Sequence, residues 1–208
     1  MENENKDPFA SEIIARDYLG GKLSKIDTQY LSVWNKFVAN PNDQGVDGFA
    51  SHQPVLVTLL QKLGGNARVI ELGTGRGSSA IVAGLSSYSE HYETDLDWYN
   101  QMKELFETPE HIFKLVTNHE KYHWNEEEPF SKLWDVAFVD NAIGESRQSN
   151  LMKLSNKARF IVCHDTEEVY KPAASDYGWD FSSFKYHFVF RNYNTFTTVV
   201  SNFEDFSM

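Results

Sequence analysis

Apolar and polar positions follow three rhythms along this chain, and each predicts a different kind of element. Val69, Ile70 and Leu72, then Val136-Ala137-Phe138-Val139, then Phe160-Ile161-Val162-Cys163 are short apolar runs of the kind that parallel strands covered on both faces require. Weaker runs at 90–94 and 112–116 predict two more strands. Helical spacing separates and precedes them. Phe9, Ile13, Ile14 and Tyr18 run up to Gly20-Gly21; Tyr30, Leu31, Trp34 and Phe37 or Val38 mark a helix over 27–38 that Asn40-Pro41 stops. Pro54, Val55, Leu56, Leu59 and Leu60 form a third, with Ser51 as its N-cap and Gly64-Gly65 as its end. Further helices are predicted over 78–85, 98–106 and 146–154. The third rhythm is strict alternation over 184–190 and 195–201, split by Arg191-Asn192-Tyr193-Asn194, which predicts an antiparallel hairpin. Together these give an α/β fold with a mostly parallel sheet closed by a hairpin.

The 208 residues suffice for one domain with a proper core, and 41% hydrophobic with 14% aromatic residues argue against global disorder. Neither a membrane-spanning run nor a signal-peptide pattern is visible, so a soluble cytoplasmic protein is expected. The single cysteine, Cys163, lies in an apolar run and reads as a buried structural thiol. A net charge of −11 works against nucleic-acid backbones and anionic membranes as partners. Self-association between copies stays open.

Chemistry enters at Glu71-Leu72-Gly73-Thr74-Gly75-Arg76-Gly77-Ser78, a strand-to-helix turn with evenly spaced glycines. A dinucleotide fingerprint would place its third glycine where Ser78 stands. The E-x-G-x-G-x-G pattern resembles the first motif of the class I S-adenosylmethionine-dependent methyltransferases, and the order of elements from about 52 to 202 is similar to theirs. The resemblance implies a Rossmann-like class I methyltransferase fold with a seven-stranded sheet and extra N-terminal helices. It implies a tail and lid-type helices over 1–50, of which 9–50 would help cover the substrate or simply shield one face of the sheet, and a methyltransferase domain over 51–208 as a single globular unit. It implies that Glu71, Gly73, Thr74, Gly75, Gly77 and Ser78 underlie the cofactor's methionine part. Asp95, with Asp97 behind it, would hold the ribose, although an N-cap for the following helix is the competing role. Asn118 or His119 would touch the adenine edge.

Two acids and an imidazole are predicted at neighbouring strand ends: Asp140 after the fourth strand, His164 and Asp165 after the fifth. In similar O-methyltransferases such acids hold Mg2+, which makes Asp140, Asp165 and His164 a candidate metal set and Asp140 a further cofactor contact. Thr166 stands where the catechol-type pattern has asparagine. A metal-free His164 base and a purely structural capping role are the alternatives. Arg147 is expected to pair with Glu145 on the surface or, less simply, to bind an acidic substrate. Trp179, Phe181 and Tyr186 could stack on a planar acceptor or pack. His111, His119 and His123 lack ligand spacing. The expected activity is methyl transfer from S-adenosylmethionine to a small-molecule hydroxyl, with Mg2+ as a possible aid. A nicotinamide-dependent oxidoreductase and a methyltransferase-like binding protein without turnover are the rivals.

Overall fold

A computed structural model describes residues 26–42, 49–117, 128–142, 144–170 and 177–208. The helix expected at Phe9–Tyr18, most of the 42–49 loop, Asn118, His119 and His123 lie outside the described residues. A 3-10 turn, Thr28–Tyr30, leads to α1 (Ser32–Ala39) and α2 (Gln53–Lys62). The alternating core follows as β1 (Arg68–Leu72), α3 (Arg76–Leu85), β2 (Tyr88–Glu93), α4 (Leu96–Phe106), β3 (His111–Leu115) and β4 (Trp134–Val139). It ends with α5 (Arg147–Leu154), β5 (Ala158–His164), β6 (Tyr186–Phe190) and β7 (Thr197–Ser201).

The strands form one sheet of seven in the order β3-β2-β1-β4-β5-β7-β6. Five are parallel; β7 runs antiparallel to both β5 and β6. Leu72 sits beside Val139, and Val139 beside Cys163, so the carboxyl ends of β1, β4 and β5 finish level. That edge is where an open parallel sheet leaves its ligand crevice.

Strand alternation sends neighbouring residues to opposite layers. Val69, Val136, Phe138, Phe160 and Val162 pack with residues of α1, α2 and α3. Ile70, Leu72, Ala137, Val139, Ile161 and Cys163 pack on the other face with Leu151 and Leu154 of α5, and with Trp179 and Phe181. Trp179 and Phe181 are thus packing residues, their rings stacked 5.7 Å apart. Burial also pushes the Cys163 thiol pKa up, which makes it inert.

Two local expectations change. The helix over 27–38 breaks at Leu31, because Gln53 of α2 caps α1 from a distance: its Oε1 accepts from the N–H groups of Val33 and Trp34 at 3.0 and 3.1 Å. Ser51 does not cap α2; His52 holds the N-cap position with no side-chain hydrogen bond. Val55, Leu56 and Leu60 of α2 are fully buried, at about 1.5–3 kcal/mol each. Against that, the ~1 kcal/mol of a cap is dispensable, and the Ser51 hydroxyl is used elsewhere.

Candidate active site

The glycine turn leaves β1 and enters α3 directly. Gly73 has φ +83°, and a Cβ there would lie 2.4 Å from the Asp140 carbonyl oxygen and 2.5 Å from the Asn141 Cα. Only glycine lets the β1 and β4 tips approach so closely. A Cβ at Gly77 would meet the Gln53 amide at 2.5 Å, so this glycine serves the seating of α2. Thr74, Gly75 and Gly77 are half-buried and Arg76 is exposed, while Ser78 is buried. Gly75 is the N-cap of α3, and no side chain caps that helix, which leaves first-turn N–H groups open to an acceptor.

Beneath the turn, Glu71 is fully buried. Its Oε2 accepts from the Ser79 hydroxyl at 2.7 Å and contacts His91 Nδ1. His91 Nε2 reaches Ser89 Oγ at 2.6 Å, and that hydroxyl reaches His111 Nδ1 at 2.8 Å. Glu71 therefore props the turn from below. Asp95 is exposed, and its carboxylate accepts from the Trp98 N–H at 2.7 Å as the N-cap of α4. The acid at the tip of β2 is Glu93, which the sequence reading passed over. Its carboxylate accepts from Thr74 N at 2.9 Å, Thr74 Oγ1 at 2.8 Å and Asp95 N at 3.0 Å. Its place as the last residue before Thr94-Asp95 was the available signal.

At the tips of β4 and β5 the structure brings Asp140, His164 and Asp165 together. Arg147 organises them, and this corrects the expectation of a surface pair with Glu145. Its guanidinium lies 2.9 Å from Asp140 Oδ1 and 3.0 Å from Asp165 Oδ2. Its Nε donates to the Asn141 carbonyl at 2.9 Å, and the Tyr177 ring lies 4.1 Å from its carbon. Arg147 is 5% exposed, whereas the Asp140 and Asp165 side chains are 23% and 18% exposed. The acids, not the cation, form the open edge. Asp165 has φ +57°, a left-handed turn that aspartate tolerates better than most residues.

His164 is buried. Its Nε2 lies 2.8 Å from Ser51 Oγ and 3.1 Å from Thr195 Oγ1. Its Nδ1 is 3.2 Å from Asp140 Oδ2 without hydrogen-bond alignment. Burial alone would lower the His164 pKa, but the charge of Asp140 beside it raises it above the ordinary value. The same pairing, with Arg147, outweighs burial at Asp140 and holds its carboxyl below the usual range.

Sequence reasoning also missed His52. Its ring lies 4.8 Å from that of His164 at 90°, and 4.8 Å from Phe138. It is 2% exposed, and neither ring nitrogen has a hydrogen-bond partner. Burial, then the neighbouring His164, lowers its pKa to about 3, so it is neutral. An orphaned buried polar atom costs about 1–3 kcal/mol.

The expected Mg2+ site does not fit this donor set. Mg2+ takes oxygen ligands in a near-octahedral shell, but between Asp140 and Asp165 the positive charge is already the Arg147 guanidinium, bonded to one oxygen of each. Thr166, which stands where the catechol-type pattern has asparagine, turns its hydroxyl away to Thr198 Oγ1 at 2.7 Å.

The fold is the Rossmann-like class I methyltransferase fold, with its seven-stranded sheet ending in an antiparallel hairpin. No protein-family model matches the sequence, and no curated protein matches it. Among solved structures the chain is similar to a candidate caffeoyl-CoA O-methyltransferase from Staphylococcus aureus. The TM-score is 0.53 at 12% identity, over 90% of this chain and 98% of that one. It is also similar to a methyltransferase-like protein from Silicibacter pomeroyi, with a TM-score of 0.50 at 13% identity, over 80% and 92% of the two chains. These likenesses establish the fold. Among the described residues, no helix is long and apolar enough to cross a membrane.

Proposed function

We propose that this chain is an S-adenosylmethionine-dependent methyltransferase that methylates a hydroxyl oxygen of a small molecule. One observation carries the reading: the uncapped glycine turn and the acid cluster are contiguous, with Gly73 pressed against the backbone of Asp140 and Asn141. A donor seated over Thr74–Gly77 would have its reactive end beside Asp140. The open first turn of α3 suits a carboxylate such as that of the donor's methionine part. Glu71 is fully buried and both oxygens of the buried Glu93 accept hydrogen bonds from the turn and from Asp95 N, so Asp95, exposed and using Oδ1 to cap α4, is the acid at this tip best placed to meet the sugar.

The cofactor supplies a methyl group on a sulfonium, whose displacement needs alignment more than activation. The chain's task is to place the acceptor oxygen and take its proton. Asp140 is the accessible group, and Arg147 and His164 fix its carboxylate from two sides. His164, buried behind it, is a positioning residue whose imidazolium form would stabilise the charge on Asp140. Asp165 balances the second guanidinium nitrogen. The net charge of −11 favours a small acceptor over a nucleic acid.

Isothermal titration with S-adenosylhomocysteine and with NAD tests the cofactor assignment. Binding of the first and not the second is expected; the reverse overturns it. A non-catalytic binding protein is favoured by one feature: the Arg147 guanidinium 2.9 Å from Asp140, with His164 beside it, holds that carboxyl below the usual range and makes it a weak base. That reading predicts that S-adenosylmethionine binds yet no acceptor from a metabolite pool gains label from its methyl group.

A further inference from the structure

His52 is hard to explain as packing alone. An imidazole that only fills space would be replaced at no loss by a residue without buried nitrogens, yet here both nitrogens are buried and unpartnered. The third orphaned nitrogen in the same place is His164 Nδ1. One ligand atom each from His52, His164 and Asp140 falls within 4.8 Å of the others. In a tetrahedral shell with ~2.1 Å bonds, ligand atoms stand about 3.4 Å apart, so rotation of the His52 ring and a small shift of Asp140 would close the three onto one ion.

We propose that His52, His164 and Asp140 form a binding site for a divalent transition-metal ion of the Zn2+, Co2+ or Fe2+ kind. Two imidazoles and one carboxylate are the donors such ions take, and Mg2+ does not. The surroundings supply the orientation a metal-bound histidine needs. The Ser51 and Thr195 hydroxyls occupy His164 Nε2 and thereby leave Nδ1 as the ligand atom. Arg147 holds Asp140 Oδ1 and leaves Oδ2 directed at His164. Three protein ligands leave a coordination position open, on the side where Asp140 is exposed to the crevice. This site shares Asp140 and His164 with the methyl-transfer reading, and its test reads metal uptake and not turnover, so either can fail without the other.

The test is metal binding itself. The full chain is stripped with a chelator and titrated with Co2+ and Zn2+, following heat by calorimetry and the visible absorption of bound Co2+. One ion per chain is expected, displaced by Zn2+ and not by excess Mg2+. His52→Ala and, to keep the ring volume, His52→Phe should each weaken Co2+ binding by at least ~10-fold, with circular dichroism confirming the fold. His187→Ala, on β6 away from the cluster, should bind as the wild type does. Absence of stoichiometric uptake by the wild-type chain overturns the proposal. So does unchanged affinity in a folded His52→Phe protein.

Discussion

Two histidine–carboxylate clusters lie in the layer that covers one face of the sheet, and they differ in where they end. Glu71–His91–Ser89–His111 runs sideways across β1, β2 and β3; its first three members are fully buried, and His91 stacks on Phe113 at 4.2 Å. Asp140–His164–Asp165 sits at the strand tips, with buried nitrogens behind and partly exposed acids in front. A buried acid beside an imidazole therefore does not by itself mark a site. The distinguishing mark is exposure of the acid at the carboxyl edge of the sheet, since the first cluster also holds an unpartnered buried atom, Glu71 Oε1. The first cluster would support the glycine turn, the second would act beside it.

The strongest way to break this contrast is Asp140→Asn. Loss of the accessible carboxylate should lower methyl transfer by roughly 10²–10⁴-fold while thermal stability hardly moves, because Arg147 keeps Asp165 as a partner. A large stability loss with normal turnover per folded molecule would make the tip cluster structural.

Next in size is Arg147→Met. It leaves two acids facing each other without their shared cation, and removing one member of a buried pair costs several kcal/mol. Partial exposure of both acids reduces that to about 2–4 kcal/mol, read as a lowered urea midpoint. Retained stability would show that solvent, not Arg147, neutralises the acids.

Glu71→Gln keeps a hydrogen-bond acceptor for Ser79 and removes the charge facing His91. The expected cost is about 1–2 kcal/mol of stability, with S-adenosylhomocysteine affinity unchanged. A tenfold loss of affinity would instead put Glu71 in the cofactor site.

What the sequence made legible divides along the same line. β1, β4 and β5 are apolar runs buried on both faces, so their identity is a local property, and the hairpin follows from alternation. Asp140, His164 and Asp165 could be placed at neighbouring tips because each directly follows or ends such a run. Arg147 and His52 could not. Arg147 looks like any solvated helix-start cation until the fold brings it between two acids, and His52 meets His164 across 112 positions of chain. The only local hint at His52 was a pair of polar residues, with Gln53, heading an apolar helix. Leu31 broke the predicted helix for the same reason, because its neighbours' N–H groups are capped by a residue 20 positions away.

The smallest expected effect gives the contrast a control. Glu90 lies on the other face of β2 and is buried like Glu71, but it is paired by charge rather than by imidazole. Burial alone would raise its pKa; hydrogen bonds from Lys132, Tyr88 and Tyr92 and the charge of Lys114 outweigh that and bring it from 4.5 down to about 2. A carboxyl whose folded pKa is depressed adds stability that is complete above the unfolded value and is lost as pH falls through the folded one. The window is thus about pH 4.5 down to 2. Lys114 and Lys132 are 23% and 33% exposed, so solvent screens the pair, and the contribution is about 1–2 kcal/mol. Urea midpoints of wild type and Glu90→Gln should differ by a constant amount above pH 4.5 and converge as pH approaches 2. A difference that persists unchanged to pH 2 would mean that Glu90 acts through shape and neutral hydrogen bonds, and charge pairing would then not be what separates it from Glu71.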